Sequence, residues 1–313
     1  MSRPRFTTLS AALVAGAVAL AGCGSSSDGA GEKKDSGPLA QVKVEGAAGA
    51  EPKVTIAPLP LKVTSETKRV ITEGKGEPLT KDSLASVNVQ LINGVDGKVA
   101  SSTWTDKQPF GLDLTNQQML PIFANQLPGT KPGGRVLLAA PVKDVYGPQG
   151  NQQLGLKPED PLVFLIDVVS ASPSLKEATG TAVPPKAGLP TVKMNPGKPA
   201  TITMPKTKAP TKLVAQPLIT GKGPKVEKGQ TIRIAYTGAL WANGKVFDSN
   251  PAWSTPIGVG QVVPGWDKSL VGQTVGSRML LVVPPADGYG PQGQGEIKGT
   301  DTMVFVVDIL GAV

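Results

Sequence analysis

The chain has 313 residues, enough for two domains of ordinary size, and its 38 glycines and 30 prolines mean many turns without the period of collagen. The formal charge is +8 with no nucleic-acid-binding motif, so the lysines read as a soluble surface rather than a nucleic-acid face; attraction to anionic lipid or cell-wall polymer is the minor alternative. With no histidine and one cysteine, Cys23, imidazole catalysis, Ser-His-Asp triads, His-ligated metals, zinc–thiolate clusters and intrachain disulfides are excluded, and neither metal nor cofactor is expected.

Residues 1–22 read as a secretory signal peptide, with Arg3 and Arg5 ahead of an apolar run from Leu9 to Ala21 that is short for a membrane span. Leu20-Ala21-Gly22-Cys23 resembles the bacterial lipobox, which implies lipidation of Cys23; a plain signal with a chance cysteine is the alternative. Residues 23–45 are small and polar and read as a flexible tether. Likeness to bacterial lipoproteins implies attachment by a lipid anchor to the extracytoplasmic face of the plasma membrane.

From there the chain repeats itself. YGPQG occurs at Tyr146–Gly150 and again at Tyr289–Gly293. "VDGKVASS" at residue 95 faces "ANGKVFDS" at 242, "DPLVFLIDVV" at 160 faces "DTMVFVVDIL" at 301, and "EPKVTIAP" at 51 faces "KPATITMP" at 198. The blocks keep their order, as an internal duplication requires. The expected domains are 46–172 and 189–313, joined by a proline-bearing, semi-extended linker at 173–188.

Each repeat is mostly strand. "QTIRIAYTGAL" alternates and is β-branched, while "RMLLVVP" and "TMVFVVDIL" are short apolar runs suited to strands buried on at least one face. Asp96-Gly97 and Asn243-Gly244 are hairpin dipeptides. In "VPGWDKSLVGQ", Trp266 and Leu270 share one helical face and Gly272 is a stop. The fold class is α+β: in each domain a bent antiparallel β-sheet wraps one short α-helix.

The stretches "YTGALWANGKVFDS", "IGVGQVVPGWDKSLVGQTVGSRMLLVVPPADGYG" and "TMVFVVDIL" resemble the FKBP family of peptidyl-prolyl cis-trans isomerases. The resemblance spans most of the second repeat. It implies a catalytic pocket of Tyr236, Phe247, Asp248, Trp266, Tyr289 and Phe305, with Trp253, Val262, Val263 and Ile297 contacting substrate. It further implies that the Val263 N–H and the Tyr289 hydroxyl bind substrate carbonyls and that Tyr236 orients Asp248. The expected ligands are proline-containing polypeptides such as secreted clients, with macrolides of the tacrolimus and rapamycin type also possible. Six of the second repeat's seven aromatics fall on this set, leaving only Trp241 outside it.

Aligned to the same positions, the first repeat keeps Phe110, Met119, Leu120, Tyr146 and Phe164, and Phe123 replaces the tryptophan. Val89, Ala100 and Ser101 stand for Tyr236, Phe247 and Asp248. That domain is either a weak or inactive isomerase that binds extended segments, or an isomerase working through its remaining aromatics. For the whole chain, activity is expected mainly in the C-terminal domain; a non-catalytic chaperone or scaffold is the alternative.

Overall fold

The computed structural model of the chain describes residues 37–313; the expected signal peptide 1–22, Cys23 and most of the tether lie outside the described residues. In the first repeat the strands are β1 (Val42–Glu45), β2 (Lys53–Ile56), β3 (Thr67–Thr72), β4 (Ser83–Asn93), β5 (Val99–Ser102), β6 (Phe110–Asp113), β7 (Arg135–Pro141) and β8 (Pro161–Pro173). Three short helices accompany them: α1 (Thr103–Asp106), α2 (Pro121–Gln126) and α3 (Val142–Tyr146). The second repeat has β9 (Gly180–Ala182), β10 (Thr191–Asn195), β11 (Lys198–Thr203), β12 (Val214–Gly221), β13 (Thr231–Leu240), β14 (Val246–Pro256), helix α4 (Pro264–Leu270), β15 (Arg278–Val283) and β16 (Met303–Ala312).

Each repeat forms a six-stranded antiparallel sheet. The orders are β3-β7-β8-β4-β5, with β6 also on β4, and β14-β13-β16-β15-β12-β9. Ladder positions confirm the repeat alignment. Val89 faces Ile166 and Leu91 faces Ser101 in the first sheet, as Tyr236 faces Val307 and Gly238 faces Asp248 in the second.

Period-two alternation assigns the faces. From the second sheet Ile232, Ile234, Met279, Leu281, Phe305, Val307 and Ile309 pack against Trp266 and Leu270 of α4. From the other side of the same strands Ala239, Leu280, Val282, Val304 and Val306 meet Ile202 of the β10–β11 hairpin and Trp241. The first sheet is covered in the same way by the β1–β2 hairpin, through Val42 and Ile56. Both faces are therefore dry, which is why these strands read as unbroken apolar runs. The hairpins also correct one alignment. Buried Ile56 corresponds to buried Ile202, one residue away from the pairing in which Glu51 faces Lys198, and in a strand that slip exchanges the faces.

Two expected boundaries move. Residues 38–45, read as tether, form a 3-10 turn and β1, with Leu39 and Val42 in the first domain's core. The expected linker at 173–188 begins with Pro173 in β8 and is bound to the second domain from Leu175 to Val183. Leu175 donates to the Leu310 carbonyl at 2.9 Å, Thr179 to that of Gly276 at 2.9 Å, and Gly180–Ala182 add β9 to the edge of β12. The domains also touch directly. Asp113, at the end of β6, accepts from Ser254 Oγ on β14 at 2.5 Å and from Arg233 Nη1 on β13 at 3.4 Å. Among the described residues no helix is long and apolar enough to cross a membrane.

Candidate active site

Helix α4 begins with Pro264 at its first position, where the missing N–H costs nothing, and it buries Trp266. The loop before it is held by Asp267, whose carboxylate accepts the Gly258 N–H at 2.6 Å and the Gly260 N–H at 2.8 Å. Both glycines have φ of +80°, a conformation that side chains resist. Asp267 thus fixes the segment 260–263 that forms one rim of a cavity of about 500 Å³. That residue was not singled out from the sequence, although a carboxylate just downstream of two closely spaced glycines was the available signal.

The cavity is a box of rings with Trp266 at its centre. Its ring centroid lies 5.1 Å from that of Phe305, 5.2 Å from Tyr236 and 6.1 Å from Trp253, all edge-to-face; Phe247 meets Phe305 at 5.6 Å. This is the favoured arrangement of ring quadrupoles, and it fixes the walls. One polar pair interrupts the apolar lining: the Tyr236 hydroxyl donates to Asp248 Oδ2 at 2.6 Å. Burial, followed by the bond to Asp248, pushes the Tyr236 hydroxyl well above the ordinary tyrosine range. Burial and the Asp248 charge raise Tyr289 as well, so both phenols stay protonated donors near neutral pH.

Nine of the ten residues expected at the pocket line it: Tyr236, Phe247, Asp248, Trp253, Val262, Val263, Trp266, Tyr289 and Phe305. Ile297 does not. It is 9% exposed and packs into the core, while its main chain bridges to Gln294 at 2.8 and 2.9 Å and shapes the loop from beneath. Gly260, Gln261, Pro264, Gly288 and Gln294 complete the lining. The Val263 N–H and the Tyr289 hydroxyl donate to no described residue, so two donors stand free at the rim.

The profile of the family described as FKBP-type peptidyl-prolyl cis-trans isomerase matches residues 76–169 and 223–310, more than half of the chain. The chain belongs to this family. It is 44% identical over 92 residues to FK506-binding protein 2 of Dictyostelium discoideum, covering 28% of this chain and 68% of that protein. It is 33% identical over 115 residues to the FK506-binding protein of Streptomyces anulatus, covering 35% of this chain and 93% of that one. Among solved structures, the crystal structure of AtFKBP13 matches at 31% identity with a TM-score of 0.31, covering 34% of this chain and 96% of that chain.

The first FKBP domain has the same frame and a different pocket. Phe123 and Phe164 meet edge-to-face at 5.1 Å, at the positions of Trp266 and Phe305. Met119, Leu120 and Tyr146 are half-buried against that core. The edge is broken, however: where β14 runs continuously, the first domain has β5, then α1, then β6. Phe110 reaches the ladder position of Trp253 and is 54% exposed. Leu91, buried with Phe123 and Phe164, stands where the second domain has Gly238. A Cβ at Gly238 would lie 2.7 Å from the Phe247 ring and 2.8 Å from the Phe305 ring. The second domain thus keeps a glycine so that two rings can meet, and the first has leucine at that position and only Ala100 where the second has Phe247.

Proposed function

We propose that the second FKBP domain catalyses cis-trans isomerisation of X-Pro bonds and that the first binds extended segments with little or no turnover. The observation that carries this is the Tyr236–Asp248 pair set in the wall of an apolar ring-lined cavity, with the Val263 and Tyr289 donors free at its rim. The first domain has Val89 and Ser101 at the paired positions.

The chemistry needs no nucleophile. The barrier of about 18–20 kcal/mol comes from lost amide resonance, and the twisted amide has less charge separation than either planar form. Water therefore favours the planar forms, and a dry aromatic box removes that advantage. The proline ring sits among Trp266, Phe247, Trp253 and Phe305. The Val263 N–H and Tyr289 hydroxyl hold flanking carbonyls, and Asp248, oriented by Tyr236, acts electrostatically beside the turning bond. Binding the twisted form better than the planar one is the whole of the catalysis.

A protease-coupled assay of the full chain on a proline tetrapeptide tests this. Asp248→Ala and Trp253→Ala should each lower kcat/KM by roughly 10- to 100-fold, the worth of a hydrogen bond to a charge or of a lost ring wall. Phe110→Ala, at the equivalent of Trp253 in the first domain, should change nothing. Equal losses from Phe110→Ala and Trp253→Ala would place turnover in both domains; undiminished turnover by Asp248→Ala would take Asp248 out of the catalysis, and no turnover by the unmodified chain would leave the pocket a binding site only, the chaperone reading.

Cys23 is proposed to carry the lipid that fixes the protein to the extracytoplasmic face of a bacterial plasma membrane. The lipobox-like sequence and the polar stretch after it support this, and secreted polypeptides are then the clients. Cys23→Ala should shift the protein from the membrane fraction to the medium and abolish labelling by a radioactive fatty acid. Binding of FK506-type macrolides is proposed for the second domain alone.

A further inference from the structure

The duplication places an internal control on the far side of each sheet. In the first domain Arg135 is fully buried and holds Asp167 through Nε at 2.6 Å and Nη2 at 2.8 Å. Its other donors take main-chain carbonyls from the long β1–β2 turn: Nη1 that of Gly46 at 2.7 Å, Nη2 that of Ala50 at 2.8 Å. Asp167 Oδ2 accepts the Gly49 N–H from the same turn at 2.6 Å. A strip of glycine and alanine main chain thus lies across the ion pair and is held by both partners.

The second domain repeats the ion pair and lacks the strip. Arg278 holds Asp308 through Nε at 2.6 Å and Nη2 at 2.7 Å. The β10–β11 turn consists of Pro196 and Gly197 alone and makes no hydrogen bond to either partner. The linker supplies the equivalent of the Gly49 N–H, from Ala178 to Asp308 Oδ2 at 3.1 Å. Arg278 Nη1 donates to no described residue. Beside it is a groove of about 310 Å³, lined by Met194 and Lys198 of the hairpin, Lys176 of the linker, Pro251 of β14 and Ala235.

We propose that this groove is a second polypeptide-binding site, taking an extended stretch of small residues by its main-chain carbonyls as Arg135 takes Gly46 and Ala50. The charge of Arg278 is already matched by Asp308, so its spare N–H suits a neutral carbonyl better than an anion. The position gives the site a use. Strand β14 separates it from the ring-lined cavity: Phe247, Asp248 and Trp253 line the cavity, while Ser249, Asn250 and Pro251 line the groove, and Tyr236 borders both. One unfolded chain crossing this edge strand reaches both sites.

The inference goes beyond isomerase activity and is tested without it. The full chain, isotope-labelled, is titrated with a capped, proline-free twelve-residue peptide of glycine and alanine, and separately with inorganic phosphate. The expected result is that the peptide shifts the NMR signals of Arg278 Nε–H and the Ala200 and Thr237 amides, leaving Trp266 and Tyr289 unmoved. Ala235→Leu, which fills the groove and keeps the ion pair, should weaken peptide binding about tenfold or more while turnover of the proline tetrapeptide stays unchanged. Arg278→Gln should weaken it too; because it strips Asp308 of its counter-charge, Ala235→Leu is the deciding variant. Peptide binding untouched by Ala235→Leu, shifts confined to Trp266 and Tyr289, shifts at Arg278 from phosphate alone, or no shift at all would overturn the inference. Loss of tetrapeptide turnover in the unmodified chain would instead overturn the proposed activity and leave the groove standing.

Discussion

Position 238 decides how much room the rings have. Gly238→Leu, which copies Leu91, should drive Phe247 and Phe305 apart and cut kcat/KM on a proline tetrapeptide by tenfold or more, since overpacking a well-filled site costs about 1–3 kcal/mol. Circular dichroism should still report a folded sheet, because the added bulk falls on the Phe247 and Phe305 rings that wall the cavity. The pocket itself was legible because aromatic residues at separated positions carry a pattern that no single one does. The loss of Tyr236, Phe247 and Asp248 from the first repeat was legible in the same comparison. Gly238 was not, because a glycine inside a strand reads as a weak point until the two rings that need its missing Cβ are located. The packing of Ile297 into the core was not legible for the converse reason: an apolar residue on a loop gives no sign whether it faces ligand or core.

At the scale of elements, the two hairpins behind the sheets explain both a success and a failure. Their matching sequences were visible, but their place was not, since β1–β2 and β10–β11 share no ladder with the sheets they cover and are tied to them only by burial and by side-chain bonds such as Arg69 Nη1 to the Val42 carbonyl and the Ala200 N–H to Thr237 Oγ1. They act by burial, and the apolar runs of β7, β8, β15 and β16 were the indirect sign of a second covered face. The ion pairs beneath them should differ in worth. Asp167→Asn leaves Arg135 charged and dry, at a cost of about 3–5 kcal/mol. Asp308→Asn should cost less, because the Arg278 side chain is 14% exposed and water can replace part of the partner. Urea unfolding of the two variants measures the difference; equal losses would mean that the strip of main chain over Arg135 does not seal it.

At the scale of the molecule, the linker prolines suggested a spacer, and the main-chain bonds of Leu175 and Thr179 make it part of the second domain instead. Composition could not show this, because the partners are carbonyls far along the chain. Direct contact between domains rests on a small close approach: a Cβ at Gly111 would lie 2.0 Å from Thr231 Oγ1. Gly111→Val should therefore part β6 from β13, break the Asp113–Ser254 bond, and raise the radius of gyration measured by X-ray scattering. An unchanged scattering profile would mean that the linker alone sets the arrangement.

The exchange of Gly238 and Phe247 for Leu91 and Ala100 also bears on how the two copies can change over generations. Restoring phenylalanine at 100 first would press its ring against the Leu91 side chain. Restoring glycine at 91 first would leave a hole beside Phe123 and Phe164, at about the 2–5 kcal/mol of a large-to-small core change. Each first step costs stability before the second can offset it. Leucine with alanine and glycine with phenylalanine are thus two packings of one site, separated by a barrier that no single substitution crosses freely.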